Sequence, residues 1–225
     1  MAWLDSLERD GAVRRPATLD AQACLALETA VSAAPEGRPG VRLAGVPELG
    51  MWLDATGSVG RLVAAAIGEA AWPVRAVLFD KSDGNNWALG WHQDRTIVVQ
   101  RRADVPGFGP WTIKAGLDQV EPPFAVIERM ITVRIHLDPV DRDNAPLRIV
   151  PGSHGLGRLP ESEIDGVVAR HGERICLAER GDVWLYRTAI VHGSRAATVP
   201  RRRRVLQVDY AADILPHPLE WRGLD

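Results

Sequence analysis

The segment Ile131-Thr132-Val133-Arg134-Ile135-His136-Leu137-Asp138 alternates strictly between apolar and polar side chains. Side chains on a strand repeat with a period of two. Ile131, Val133, Ile135 and Leu137 therefore face one way, and Thr132, Arg134, His136 and Asp138 the other. On a surface strand the polar face meets water, whereas in a barrel with a polar interior it lines the cavity. Residues 74–79, 147–150, 174–177, 183–186, 189–192 and 203–210 read as further strands. Turns such as Asp83-Gly84-Asn85, Asp143-Asn144 and Pro151-Gly152 separate them. Short strands at close spacing point to an antiparallel barrel or jelly roll.

Helices are expected ahead of these strands. Residues 3–9 place Trp3, Leu4 and Leu7 on one side, Gly11 ends them, and 12–14 form a brief strand. A helix capped by Asp20 carries Cys24, Leu27 and Val31 until Pro35 and Gly37 stop it. Another begins near Ser58, with Val59, Val63, Ala66 and Ala70 as its inner stripe and Pro73 as its stop. Residues 1–73 thus read as a helical buttress on a β domain over 74–215, and the 225 residues as a single domain. Residues 103–123, with Pro106-Gly107, Gly109-Pro110, Gly116 and Pro122-Pro123, read as a long irregular loop of the kind that serves as a lid. Short helices are expected over 124–129 and 160–170, the latter stopped by Gly172.

Composition narrows the function. A net charge of −2 gives the molecule no overall attraction to nucleic acid or membrane. The run Arg201-Arg202-Arg203-Arg204 cannot face one partner if it lies on a strand, because alternate side chains point oppositely. The expected arrangement has Arg203 inward and Arg202 and Arg204 outward and solvated. No segment approaches the length of a membrane span, and the N-terminus lacks a secretory pattern. Cys24 and Cys176 are too few for a disulfide framework and read as buried or free thiols. A soluble, cytoplasmic protein is expected, a monomer or homodimer acting on a small molecule, with no nucleic-acid or membrane partner.

The chemistry concentrates in Trp91-His92-Gln93-Asp94. A His and an Asp two apart on extended chain project to the same side, and together supply two ligands of a 2-His-1-carboxylate iron(II) site. His136-Leu137-Asp138 repeats the spacing, so the residues alone leave two candidate pairs. His192, after the apolar run Ala189-Ile190-Val191, reads by itself as a core histidine sooner than as a ligand. His154 reads as a residue that holds a strand end by hydrogen bonding.

Five stretches, Trp91-His92-Gln93-Asp94, Asn144-Ala145-Pro146-Leu147, Pro151-Gly152-Ser153-His154, His192-Gly193-Ser194 and Arg203, occur in an order that resembles the phytanoyl-CoA dioxygenase-like branch of the iron(II)/2-oxoglutarate oxygenases. The resemblance covers about residues 74–211. It implies a mainly β fold with flanking helices, the double-stranded β-helix (a cupin-like jelly roll). It also implies metal ligation by His92, Asp94 and His192, with Arg203 binding the distal carboxylate of 2-oxoglutarate, Ser194 assisting and Arg134 nearby. The planar guanidinium suits that role, since it makes two parallel hydrogen bonds to a carboxylate. Fe(II), 2-oxoglutarate and O2 are the implied cofactors. The implied reaction is hydroxylation of a small-molecule C–H bond with release of succinate and CO2. Asp94 favours that outcome over halogenation, which needs a small residue there. Trp91, Trp111, Lys114 and His136 are the candidate substrate contacts. The competing expectation is a cupin-like metal-binding barrel that acts as a binding or sensor domain without 2-oxoglutarate turnover.

Two positions depart from the family pattern. Ala145 stands where relatives often have glycine, so a turn that avoids a strongly positive φ is expected there. Ala197 replaces an asparagine often found five residues after the distal histidine.

Overall fold

The structure, a computed structural model, describes all residues except 1, 36, 37, 39, 83 and 225. The expected helix stop at Gly37 and turn residue Asp83 lie outside the described residues.

The chain opens with α1 (Ala2–Asp10), β1 (Ala12–Arg15) and α2 (Ala21–Ala30). The Asp20 side chain caps α2 by accepting from Ala23 N–H at 2.8 Å. Next come β2 (Val41–Leu43), a 3-10 turn over Pro47–Leu49, α3 (Gly50–Leu53) and α4 (Gly60–Ile67). The β region follows with β3 (Trp72–Lys81), β4 (Leu89–His92), β5 (Ile97–Val98), β6 (Trp111–Lys114) and β7 (Leu117–Val120). After α5 (Phe124–Glu128) come β8 (Ile131–His136), β9 (Leu147–Ile149), α6 (Glu161–His171), β10 (Arg174–Cys176), β11 (Val183–Arg187), β12 (His192–Ser194) and β13 (Arg203–Ala211).

A large sheet runs β1-β11-β8-β13-β3-β2, a smaller one β10-β9-β12-β4, and a third β5-β7-β6, with antiparallel pairing throughout. The protein is mainly β with flanking helices, a jelly-roll double-stranded β-helix. Among the described residues, no helix is long and apolar enough to cross a membrane.

The alternation of β8 decides where the core lies. Ile131, Val133 and Ile135 join Leu185, Leu206, Val208 and Leu78 on the outer face of the large sheet, against Leu7, Leu27, Leu53 and Val63 of the helices. Burying each such side chain stabilises the fold by roughly 1.5–3 kcal/mol. The opposite face of the sheet turns inward. There Trp184 and Tyr186 pack with Leu147, Ile149, Cys176 and Ile190 between the two sheets, while Arg75, Thr132, Arg134, His136 and Arg203 form a polar interior.

Several expectations are corrected. Segment 103–123 holds a β-hairpin rather than an irregular loop: β6 and β7 join through Ala115-Gly116, with Lys114 opposite Leu117. Both turn residues have positive φ (52° and 76°), the geometry of a tight hairpin turn, which Ala at the first position conceals in the sequence. Helix α4 ends at Gly68 (φ 101°), so Ala70 is exposed beyond it, and Pro73 lies inside β3. The strand expected over 189–192 begins only at His192. Ala145 adopts φ 50°, the conformation it was expected to avoid, while its carbonyl accepts from Arg203 Nη1 at 2.5 Å. Arg204 points outward as expected but is not solvated, because its guanidinium binds Asp138 and Glu28. That pairing also removes Asp138 from the inner face expected for it.

Candidate metal centre

β4 and β12 pair so that His192 lies directly opposite His92, with ring centroids 4.3 Å apart. Gly193 permits this approach, since a Cβ there would stand 3.0 Å from the Leu89 carbonyl oxygen. Asp94 follows β4 by two residues and brings Oδ2 to 3.9 Å from His192 Nε2. One ligand atom from each of His92, Asp94 and His192 lies within 4.8 Å of the others. The rival pair does not converge: His136 is buried in the interior, and Asp138 is taken by Arg204.

The protonation pattern suits a cation. His92 Nδ1 bonds the Gly90 carbonyl at 2.8 Å, and His192 Nδ1 bonds the Ile190 carbonyl at 3.0 Å. A carbonyl only accepts, so each Nδ1 carries a proton and Nε2 is the ring nitrogen left to face a cation. Burial, then the neighbouring His92, pushes His192 down to about 4, which keeps it neutral. Burial alone would raise Asp94; His192 and Arg75 outweigh it and hold the carboxyl below its ordinary value. Its Oδ2 is buried without a hydrogen-bond partner. Two imidazole Nε2 atoms and an orphaned carboxylate oxygen form a donor set that fits iron(II).

Gln93, between the two β4-side ligands, turns the other way. Its amide donates to the Gly157 and Ala189 carbonyls at 2.9 and 2.8 Å and accepts from Leu159 N–H at 2.9 Å. It thereby ties the His92–Asp94 segment to the turn preceding β12. Arg75 braces the other side, with Nη2 at 3.9 Å from Asp94 Oδ2 and Nε bonded to Asp209. Asp209 also accepts from the Thr132 hydroxyl at 3.1 Å, and Thr132 bonds Thr188. His154 bonds the Glu8 carbonyl at 3.0 Å and ties its turn to α1, apart from the centre.

Deeper in the barrel, Arg203 is 2% exposed and its Nε has no partner. Lys81 stands opposite it in the β13–β3 register, with Nζ donating to the Trp87 carbonyl at 2.6 Å. Arg134 is also buried with Nε unpartnered, and its guanidinium carbon lies 5.3 Å from the centre of the Phe79 ring. Among the described residues, no carboxylate forms an ion pair with Lys81, Arg134 or Arg203. Burial, then the neighbouring arginines, pushes Lys81 down to about 7, and burial and Arg134 push Arg203 down to about 9. Buried cations without a counter-charge are costly, so this cluster is built for an anion. Sequence reading missed Lys81, although its parity with Val77 and Phe79 along β3 was a usable signal.

A cavity of about 790 Å³ is lined by His92 and Asp94 together with Trp87, Trp91, Lys114 and Gln207. Two expected substrate contacts, Trp91 and Lys114, thus reach it. The other two do not: Trp111 packs with the cluster around Ile97 and Val120 beneath Arg102, and His136 lies with the deep cations. Ser194 borders a separate groove with Gly193 and Arg148. Ala197 has its backbone N–H and carbonyl bonded by the Asn86 amide at 2.7 and 3.0 Å, which joins the loops flanking the site.

Fold and donor set together define a class, double-stranded β-helix proteins with a two-histidine, one-carboxylate metal centre. The description of the phytanoyl-CoA dioxygenase (PhyH) family matches residues 49–205, and the chain belongs to that family. Among solved structures it is similar to AviO1 from Streptomyces viridochromogenes Tue57, with 22% identity over 96% of each chain and a TM-score of 0.66. It is also similar to HygX from Streptomyces hygroscopicus with nickel, 2-oxoglutarate and hygromycin B bound. That match has 13% identity over 93% of this chain and 86% of the other, with a TM-score of 0.64. A third is SnoN, a non-heme alpha-ketoglutarate-dependent epimerase from nogalamycin biosynthesis, with 18% identity over 100% and 94% and a TM-score of 0.64. At these identities the likeness is one of fold. No curated protein sequence matches the chain.

Proposed function

We propose that this protein is an iron(II)- and 2-oxoglutarate-dependent oxygenase that hydroxylates a C–H bond of a small molecule. The observation that carries the reading is the convergence of His92, Asp94 and His192 in the same barrel as a buried arginine that lacks an anion. HygX, which shares the fold, is known with nickel and 2-oxoglutarate bound. In this reading the whole chain works as one unit, with the N-terminal helices supporting the sheet that carries Arg203.

When bound, the metal and the keto acid supply the oxidising chemistry, consuming dioxygen and releasing succinate and CO2. The remaining work belongs to the chain. His92, Asp94 and His192 would hold the cation through two imidazole nitrogens and a carboxylate oxygen. Arg203 fixes the distal carboxylate through paired hydrogen bonds, and Ser194, on the separate groove, takes no part in that contact. Lys81 and Arg134 add positive charge beside it. Phe79 and Trp87 stand next to these cations and exclude water from them. Gln93 and Arg75 keep the ligand-bearing segments in register.

Adding 2-oxoglutarate to the iron(II) protein under argon should produce a weak visible charge-transfer band, and Arg203→Ala should weaken it about tenfold in apparent affinity. A folded, iron-binding protein that shows no such band would leave only the metal-binding barrel without 2-oxoglutarate turnover.

A further inference from the structure

Resting on the oxygenase reading, we propose that the substrate carries an oxyanion group, a carboxylate or a phosphate, held by Arg42, with Lys114 as a second cation on the walls of the cavity that His92 and Asp94 line.

Arg42 lies on β2, the edge strand of the large sheet, opposite Val77, and both line the cavity. Its Nε is buried and has no hydrogen-bond partner. No carboxylate pairs with it among the described residues. The other arginines on these walls are committed: Arg75 to Asp209 and Asp94, and Arg95 to the Leu159 carbonyl and Glu161. Lys114, exposed at the end of β6, forms no ion pair among the described residues. The acidic groups lining the cavity are Asp94, a metal-ligand candidate, and Glu161, held by Arg95. The cavity therefore keeps two cations free and no anion free, so an oxyanion is the ligand group that completes it.

The 2-oxoglutarate carboxylate does not meet this need. Arg42 aligns with Val77, whereas Arg203 aligns with Lys81, four residues or about 13 Å further along β3. The keto acid fills the deep cluster, and a second anion is needed for Arg42. Phe79, Trp87 and Trp91 line the same cavity and suit a flat or apolar body attached to that anion.

Calorimetric titration under argon tests this, using iron(II) protein saturated with 2-oxoglutarate and three probes: phenyl phosphate, benzoate and phenol. At least one of the two anions should bind about tenfold tighter than phenol, and which one does so separates a phosphate-bearing substrate from a carboxylate-bearing one. Arg42→Gln should bring the anion and phenol within about twofold of each other, while Arg42→Lys keeps part of the preference. Lys114→Gln, at an exposed hairpin end that cannot unfold the core, should reduce the preference about threefold. Arg203→Ala, titrated with metal alone, should keep the preference while losing 2-oxoglutarate binding. Equal binding of all three probes by the native protein would overturn the proposal. So would a preference that survives in folded Arg42→Gln, or one lost in Arg203→Ala instead. Failure of the oxygenase reading looks different: no charge-transfer band, with the anion preference intact.

Discussion

His92 and His192, one hundred positions apart in sequence, are direct neighbours across the β4–β12 pair, and each ring donates Nδ1–H to the carbonyl two residues before it. The same local device serves both strands, so both Nε2 atoms are oriented by backbone rather than by other side chains. Ring orientation at the centre is therefore only as secure as the register between the two strands.

Gln93 guards that register. Gln93→Ala removes three hydrogen bonds and leaves buried backbone groups unpaired, which should cost about 2–4 kcal/mol of stability. Metal affinity should fall about tenfold, as for other groups that orient ligands. Urea denaturation and metal titration check the two effects separately.

Arg75 and Asp209 form a buried ion pair beside Asp94. Arg75→Met strands the Asp209 carboxylate and should destabilise the fold by about 3–5 kcal/mol. Arg75→Met/Asp209→Asn should recover much of that loss. A double variant no more stable than Arg75→Met alone would show that the pairing is not what Arg75 contributes.

Lys81 gives a pH dependence of definite sign. Its folded-state pKa, about 7, lies below the ordinary 10.5, so between these values the unfolded chain binds more protons than the folded one. Stability from this group is thus lowest below pH 7 and rises as pH climbs from about 7 to 10.5. Thermal denaturation of the ligand-free protein should show the rise, and Lys81→Met should flatten it. Affinity for 2-oxoglutarate should move oppositely and weaken above pH 7 as the ammonium is lost.

Ala145 holds φ at 50° although it is not glycine. Ala145→Gly should relieve the left-handed conformation and raise stability by about 0.5–1 kcal/mol, after the greater freedom of glycine in the unfolded chain is subtracted. A change in denaturation midpoint of either sign is measurable, and a drop would show that the alanine methyl, 2% exposed as a residue, packs better than its backbone is strained.

What could be read directly was whatever repeats within a few residues. The alternation of 131–138 places Ile131, Val133 and Ile135 against the helices and Thr132, Arg134 and His136 in the interior. Asp20 caps α2, and Gly172 ends α6 with φ 73°. The long loop became a hairpin because Ala115-Gly116 forms a tight turn without the usual asparagine. Lys81 was passed over because nothing near it in sequence marks it as more than the end of a strand.

By itself the sequence determined the strand periods, the helix stops and the projection of His92 and Asp94 to one side, since these depend on backbone geometry within a few bonds. Between the two His-x-Asp pairs the residues alone were silent and the family resemblance favoured the first; only the tertiary structure shows which pair has a third donor beside it. β8 ends at His136, and Arg204 draws Asp138 to the outer side, while the β4–β12 register brings His192 to His92. It also gathered Lys81, Arg134 and Arg203 without a counter-anion and left Arg42 unpaired. Such juxtapositions are set by strand register and by packing between distant segments, and no local pattern of residues encodes the distance between them.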